Sequence, residues 1–171
     1  MGEAGAEMRF SLAIFIIGLL MVLLQTSFLR LFPVVPDLVL IICVYWGLHH
    51  PTAGAVLGAF ALGYSLDVIS SPILGLNAFA MSVVFVAVYL SSRSIWLHNP
   101  VASSFVVLLA ALVKGTALVA AWAIFLTTEH FWSGAVRYII MEALIAAVLA
   151  PLIFAVLRRG QSYLEHAGRP A

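Results

Sequence analysis

Four ionisable side chains stand in or beside long apolar runs of this chain, where a charge is costly and needs a partner: Asp37, Asp67, Lys114 and Glu142. Asp37 follows Pro36 at the start of an apolar run. A carboxylate there accepts hydrogen bonds from the free N–H groups of a first helical turn and sits at the favourable end of the helix dipole, so a capping role is expected. Asp67 lies near the end of its run, where the dipole disfavours an anion. It needs donors from elsewhere, and the candidates are Arg30, Arg137, the hydroxyls of Ser70 and Ser71, and Asn77. Two readings are open for it: a structural polar knot, or a contact for a ligand or partner.

Lys114 and Glu142 fall on consecutive antiparallel runs. At about 1.5 Å per helical residue, Lys114 is roughly 20 Å from one end of its run and Glu142 roughly 9 Å from the opposite end of the next. Across a hydrocarbon core of about 30 Å these depths coincide, and a direct Lys114 to Glu142 ion pair is expected. One pair without further acids or histidines falls short of a proton relay.

Enzyme signatures are missing. His49 and His50 are adjacent, so on a helix they point in different directions and do not form the one-face pair of metal motifs. There is no G-x-S-x-G elbow, no H-E-x-x-H and no phosphate-cradling glycine loop. The single cysteine, Cys43, makes neither an internal disulfide nor a metal site. No catalytic residue, metal or cofactor is expected.

The elements that must position these residues are membrane helices. Hydrophobic residues make up 64% of the chain and charged ones 9%, against about 45–50% and about 25% in soluble domains. The few basic residues are scattered, which removes the electrostatic footprint of a nucleic-acid binder. Apolar runs place spans at about 10–32, 34–48, 52–69, 75–90, 101–126 and 136–157 in a single domain, 1–171, and the tail from Arg158 is polar. The polar leader lacks the charges and cleavage site of a signal peptide, so the first run is read as a retained span.

Six spans put both termini on one side. With that side cytoplasmic, Arg9, Arg93, Arg158, Arg159 and Arg169 lie inside and only Arg30 and Arg137 outside, as the positive-inside rule requires. A five-span chain lacking the short second crossing would carry Arg158 and Arg159 across, and is rejected. Trp46 and Trp96 then fall at inner ends and Trp132 and Tyr138 at outer ends, where aromatic belts form.

The third run holds the glycines. Gly54 and Gly58 are four apart and lie on one helix face, roughly continued by Ala61. In lipid, small residues mark faces where backbones approach closely. An internal packing contact is the expectation, with a partner seam as the alternative. Gly63 and Asp67 repeat the spacing and place the carboxylate beside a notch, ahead of a turn carrying Gly75 and Asn77. With Arg30 and Arg137 on the same outer rim, Asp67 is a candidate polar latch for a partner.

The order and spacing of LLQTSFLRLF (23–32), VPDLVLIICVYWGL (35–48), GAVLGAFALGYSLDV (54–68) and SSPILGLNAF (70–79) resemble the bacterial rod shape-determining protein MreD family. The resemblance covers the N-terminal half; the remainder matches in length and hydropathy. It implies a multi-pass subunit of the inner-membrane machinery that elongates the lateral cell wall. Such a subunit has no known catalysis and acts with membrane-anchored MreC, near MreB filaments, the RodA glycosyltransferase and a class B penicillin-binding protein. It also implies an all-α, six-helix membrane bundle similar to the substrate-binding subunits of energy-coupling-factor vitamin transporters. An outward pocket would follow, vestigial or filled by a partner helix, and a vitamin-type transporter subunit is the alternative function.

Overall fold

The computed structural model describes residues 2–27, 35–70, 73–92, 100–125 and 132–167. All described regular structure is helical: α1 (Gly2–Ser27), α2 (Leu38–His49), α3 (Ala53–Ser70), α4 (Leu76–Ser92), α5 (Pro100–Phe125) and α6 (Trp132–Ala167). Within them, Phe10–Ser27, Ala53–Ser70, Ala102–Ala121 and Val136–Gln161 are long and apolar enough to cross a membrane. The α2 and α4 helices are shorter; at about 1.5 Å per residue, α2 is only about 18 Å long.

The helices α2 to α5 fall on the apolar runs at 34–48, 52–69, 75–90 and 101–126, the end of the first run lies outside the described residues, and the helices at the chain's ends extend beyond their apolar stretches. There α1 begins at Gly2, inside the polar leader, and α6 continues to Ala167, through the polar tail. Hydropathy marks where lipid-compatible residues stop. Backbone hydrogen bonding continues as long as helix-forming residues do.

The architecture is organised around α2, which packs against each of the other five helices. Every residue from Leu38 to Gly47 is buried. A helix apolar on all sides has no polar face to turn outward and belongs in the centre of a bundle. Around it, the outer helices bury one stripe each and expose large apolar residues such as Leu12, Leu57, Leu90, Phe105 and Val148. Such surfaces suit lipid.

Trp46 belongs to this core, not to an interfacial belt: it is 2% exposed, and its ring lies against Gly58 of α3. A Cβ built on Gly58 would come within 2.4 Å of that ring. The expected small-residue face is therefore half right. Gly58 packs inside the bundle, but Gly54 is exposed and a Cβ there would meet nothing closer than 3.9 Å. The buried stripe of α3 runs through Ala55, Ala59, Gly63 and Asp67, together with Gly58, Leu62 and Leu66. The packing face lies one residue round from the glycine spacing, because alanines serve close approach as well as glycines do.

Introducing Val at Gly58 is expected to destabilise the bundle by about 1–3 kcal/mol, the usual cost of overpacking, whereas Val at Gly54 leaves stability unchanged. Thermal unfolding of the two variants in one detergent checks this.

Candidate functional site

The polar groups of the described residues gather at two places, and each fixes the beginning of a short helix. The first is the start of α2. Asp37 caps it, with Oδ1 accepting the Leu40 N–H at 3.0 Å, as the sequence led one to expect. The same carboxylate, 1% exposed, also forms an ion pair with the Lys114 ammonium of α5 through Oδ2. The Leu38 N–H is taken by Gln25 Oε1 of α1 at 3.2 Å. Side chains from α1 and α5 thus converge on the first N–H group and the capping residue of α2.

Lys114 therefore pairs with Asp37, and the expected direct pair with Glu142 does not form. The depth estimate itself was sound: Glu142 and Lys114 line one small cavity of about 30 Å³ with Leu40, Gly115 and Ile139. The estimate failed because α2 starts deep inside the bundle. Lys114 is eleven residues from the last residue of α5, roughly 16 Å along the helix, so Asp37 is an interior group and not a rim group. An interior lysine finds the capping carboxylate first.

The second place is the α3–α4 turn. Asp67 is fully buried. Its Oδ2 accepts from Gly75 N and Ala78 N, each at 3.1 Å. Its Oδ1 accepts from Asn77 N at 3.1 Å and Asn77 Nδ2 at 2.8 Å. The dipole problem posed by its place near the end of α3 is solved by the neighbouring helix: Asp67 sits on the N-terminal N–H groups of α4, where an anion is favoured. Of the donors considered, Asn77 is a partner. Arg137 is exposed on α6 and is not among the side chains bound to Asp67, and Arg30 and Ser71 lie outside the described residues.

One turn earlier, a Cβ on Gly63 would come within 2.7 Å of Ala78 Cα and of Asn77 O, so the two backbones touch. Gly75 has φ +92°, a conformation that side-chain-bearing residues rarely adopt. Gly63, Asp67, Gly75 and Asn77 form one hairpin lock. Its carboxylate faces inward, so Asp67 is not a latch presented on the surface.

At the opposite end of α2, Tyr45 and Gln161 of α6 share a hydrogen bond of 3.0 Å. His49 stacks on Tyr45 and His50 packs on Phe10. The two histidines thus point apart, His49 toward Tyr45 of its own helix and Phe154 of α6, His50 toward α1. The described residues hold no cluster of three His, Cys, Asp or Glu side chains able to bind a metal. Sequence reasoning missed Gln25 and Gln161, whose amides tie α1 and α6 to the ends of α2. A glutamine inside a span was the available signal, since a buried amide needs a partner.

Lys114→Met or Asp37→Ala alone is expected to cost about 3–5 kcal/mol, because each leaves the other charge uncompensated. The double variant Asp37→Ala with Lys114→Met is expected to be more stable than either, a coupling that a double-mutant cycle on unfolding measures. Asp67→Ala is expected to lose about 1–3 kcal/mol through the orphaned N–H groups of α4, with faster amide exchange at residues 75–78.

Against known proteins, no solved structure matches the chain, so the likeness to energy-coupling-factor subunits gains no support. The family model described as rod shape-determining protein MreD matches residues 6–159. That match extends well past the N-terminal motifs and takes in both polar locks. The chain is a membrane protein of the rod shape-determining protein MreD family.

Proposed function

We propose that this MreD family member is a non-enzymatic scaffold of the cell-wall elongation complex, lying in the bacterial inner membrane with both termini in the cytoplasm. It docks the membrane helix of MreC and through it links MreB filaments to RodA and the class B penicillin-binding protein. The observation carrying this reading is the division of polar and apolar groups. Asp37, Lys114 and Asp67 are spent on internal ties, and the described outward surface of the helices is largely apolar. Such a molecule offers shape to a partner in the membrane rather than reactive groups to a substrate.

The groove between the end of α5 and the start of α4 supports a docking place. Its volume is about 780 Å³, and Leu74, Gly75, Phe79, Ala117, Ala120 and Ala121 are among its lining residues. The small α5 residues allow a helix backbone to approach closely. Gly75 belongs to the turn held by Asp67, so that carboxylate shapes the groove from beneath without touching the occupant. Among the docking candidates, Gly75 thus lies at the groove, Gly58, Gly63, Asp67 and Asn77 act from inside, and Gly54 is exposed near the start of α3. A vitamin-type transporter subunit is the alternative, and the groove volume lies within the about 300–1,000 Å³ of small-molecule pockets. Its described lining has no polar side chain to orient a vitamin, which favours helix docking.

Ala120→Trp fills the groove from an exposed position. It is expected to reduce co-purification of MreC several-fold and to round the cells at unchanged protein level and thermal stability. Unchanged co-purification and cell shape would sink the docking reading, and a vitamin found by mass spectrometry of the purified protein would put the transporter reading in its place.

A further inference from the structure

Glu142 is left over by the ties described above. It lies on α6 beside Lys114, across the small cavity whose walls include Leu40, Gly115, Ile139 and Ala143. The α5–α6 seam is tight here, since a Cβ on Gly115 would come within 2.4 Å of Ile139 Cγ2. Glu142, three residues further along α6, is therefore held at this level. Lys114 is already committed to Asp37.

The charges facing the cavity can be counted helix by helix. On α5, Lys114 is the only ionisable residue between Pro100 and Phe125. From α2 and its cap come Asp37 and the buried thiol of Cys43. On α6, Tyr138 precedes Glu142 by four residues and is exposed, as is Arg137. Lys114 lines the cavity together with Glu142, and Asp37 is reached through its pair with Lys114. From α1 the nearby polar group is the neutral amide of Gln25, and α4 contributes no ionisable group other than Tyr89. One cation thus faces two carboxylates in an apolar bundle.

Asp37 already holds both the cation and a backbone N–H of α2. Glu142 is half-buried on α6, and ionised it would leave the cluster one negative charge in excess of its single cation, which apolar surroundings disfavour. We propose that Glu142 is a proton-binding site: the cluster holds one exchangeable proton on this carboxyl, which keeps Asp37, Lys114 and Glu142 neutral as a set. Losing the proton places a second carboxylate beside the single ammonium. It then competes with Asp37 for Lys114 and loosens the start of α2, so the proton links the central helix to pH.

The test uses the full-length protein in lipid nanodiscs. Infrared spectra at neutral pH are expected to contain a carboxylic-acid carbonyl band in the apolar range that disappears in Glu142→Gln, an uncharged isostere of the protonated acid. Dicyclohexylcarbodiimide, which modifies protonated carboxyls in apolar surroundings, is expected to label Glu142 when adducts are mapped by mass spectrometry. Wild-type thermal stability is expected to fall as pH is raised, and that of Glu142→Gln to stay level over the same range. Identical carbonyl bands in wild type and Glu142→Gln would overturn the proposal. If the variant does not accumulate, the carbodiimide map of the wild type decides, and an unlabelled Glu142 at neutral pH overturns it.

Discussion

The ion pair between Asp37 and Lys114 is the constraint on which the bundle depends. A helix as short and as apolar as α2 has no orientation preference of its own inside a bundle of equally apolar helices, since lipid and protein interior are alike to it. Direction comes from its ends. Asp37 fixes the first turn by capping, and Lys114 ties that cap to α5. Gln25 adds α1, and the Tyr45–Gln161 bond fixes the far end to α6. Breaking one half of the ion pair strands a charge in the interior, so the pair specifies position more than it adds net stability.

The α3–α4 hairpin applies the same device a second time. Asp67 lies near the end of one helix and serves the start of the next, with Gly63 removing the side chain that would hold the two apart. Both short helices, α2 and α4, thus begin on a buried carboxylate. The two locks free the remaining surface from structural polar duties, and what faces outward is apolar and shaped by a groove. For a member of a family named for rod-shape determination, a rigid interior and a contoured apolar exterior suit assembly within the membrane.

Much of this was legible in the residues, and the misses have physical reasons. Asp37 as a cap and Asn77 as a donor to Asp67 follow from local rules, because capping and helix-start donors act within a few residues or across a tight turn. The central place of α2 was not legible, since a short run that is apolar on every side has no period to show which side faces a neighbour. Without it, Asp37 reads only as a cap, and Lys114 is matched to the right depth but the wrong carboxylate. The spacing of Gly54, Gly58 and Ala61 puts the α3 face about one residue out, since the buried stripe shares Gly58 with it but runs through Ala55 and Ala59. The groove between α4 and α5 depends on how two helices diverge, which no single residue encodes.

Cys43 offers a direct readout of the central claim. It is the only cysteine in the chain, lies in the middle of α2 and is fully buried. The measurement is its reaction rate with a membrane-permeant maleimide in native membranes. With α2 held in the centre by the Asp37–Lys114 tie, the wild-type thiol stays unreacted until the protein is denatured, and Lys114→Met makes it reactive under native conditions. A wild-type thiol that reacts readily, or a Lys114→Met thiol as protected as the wild type, would contradict the account.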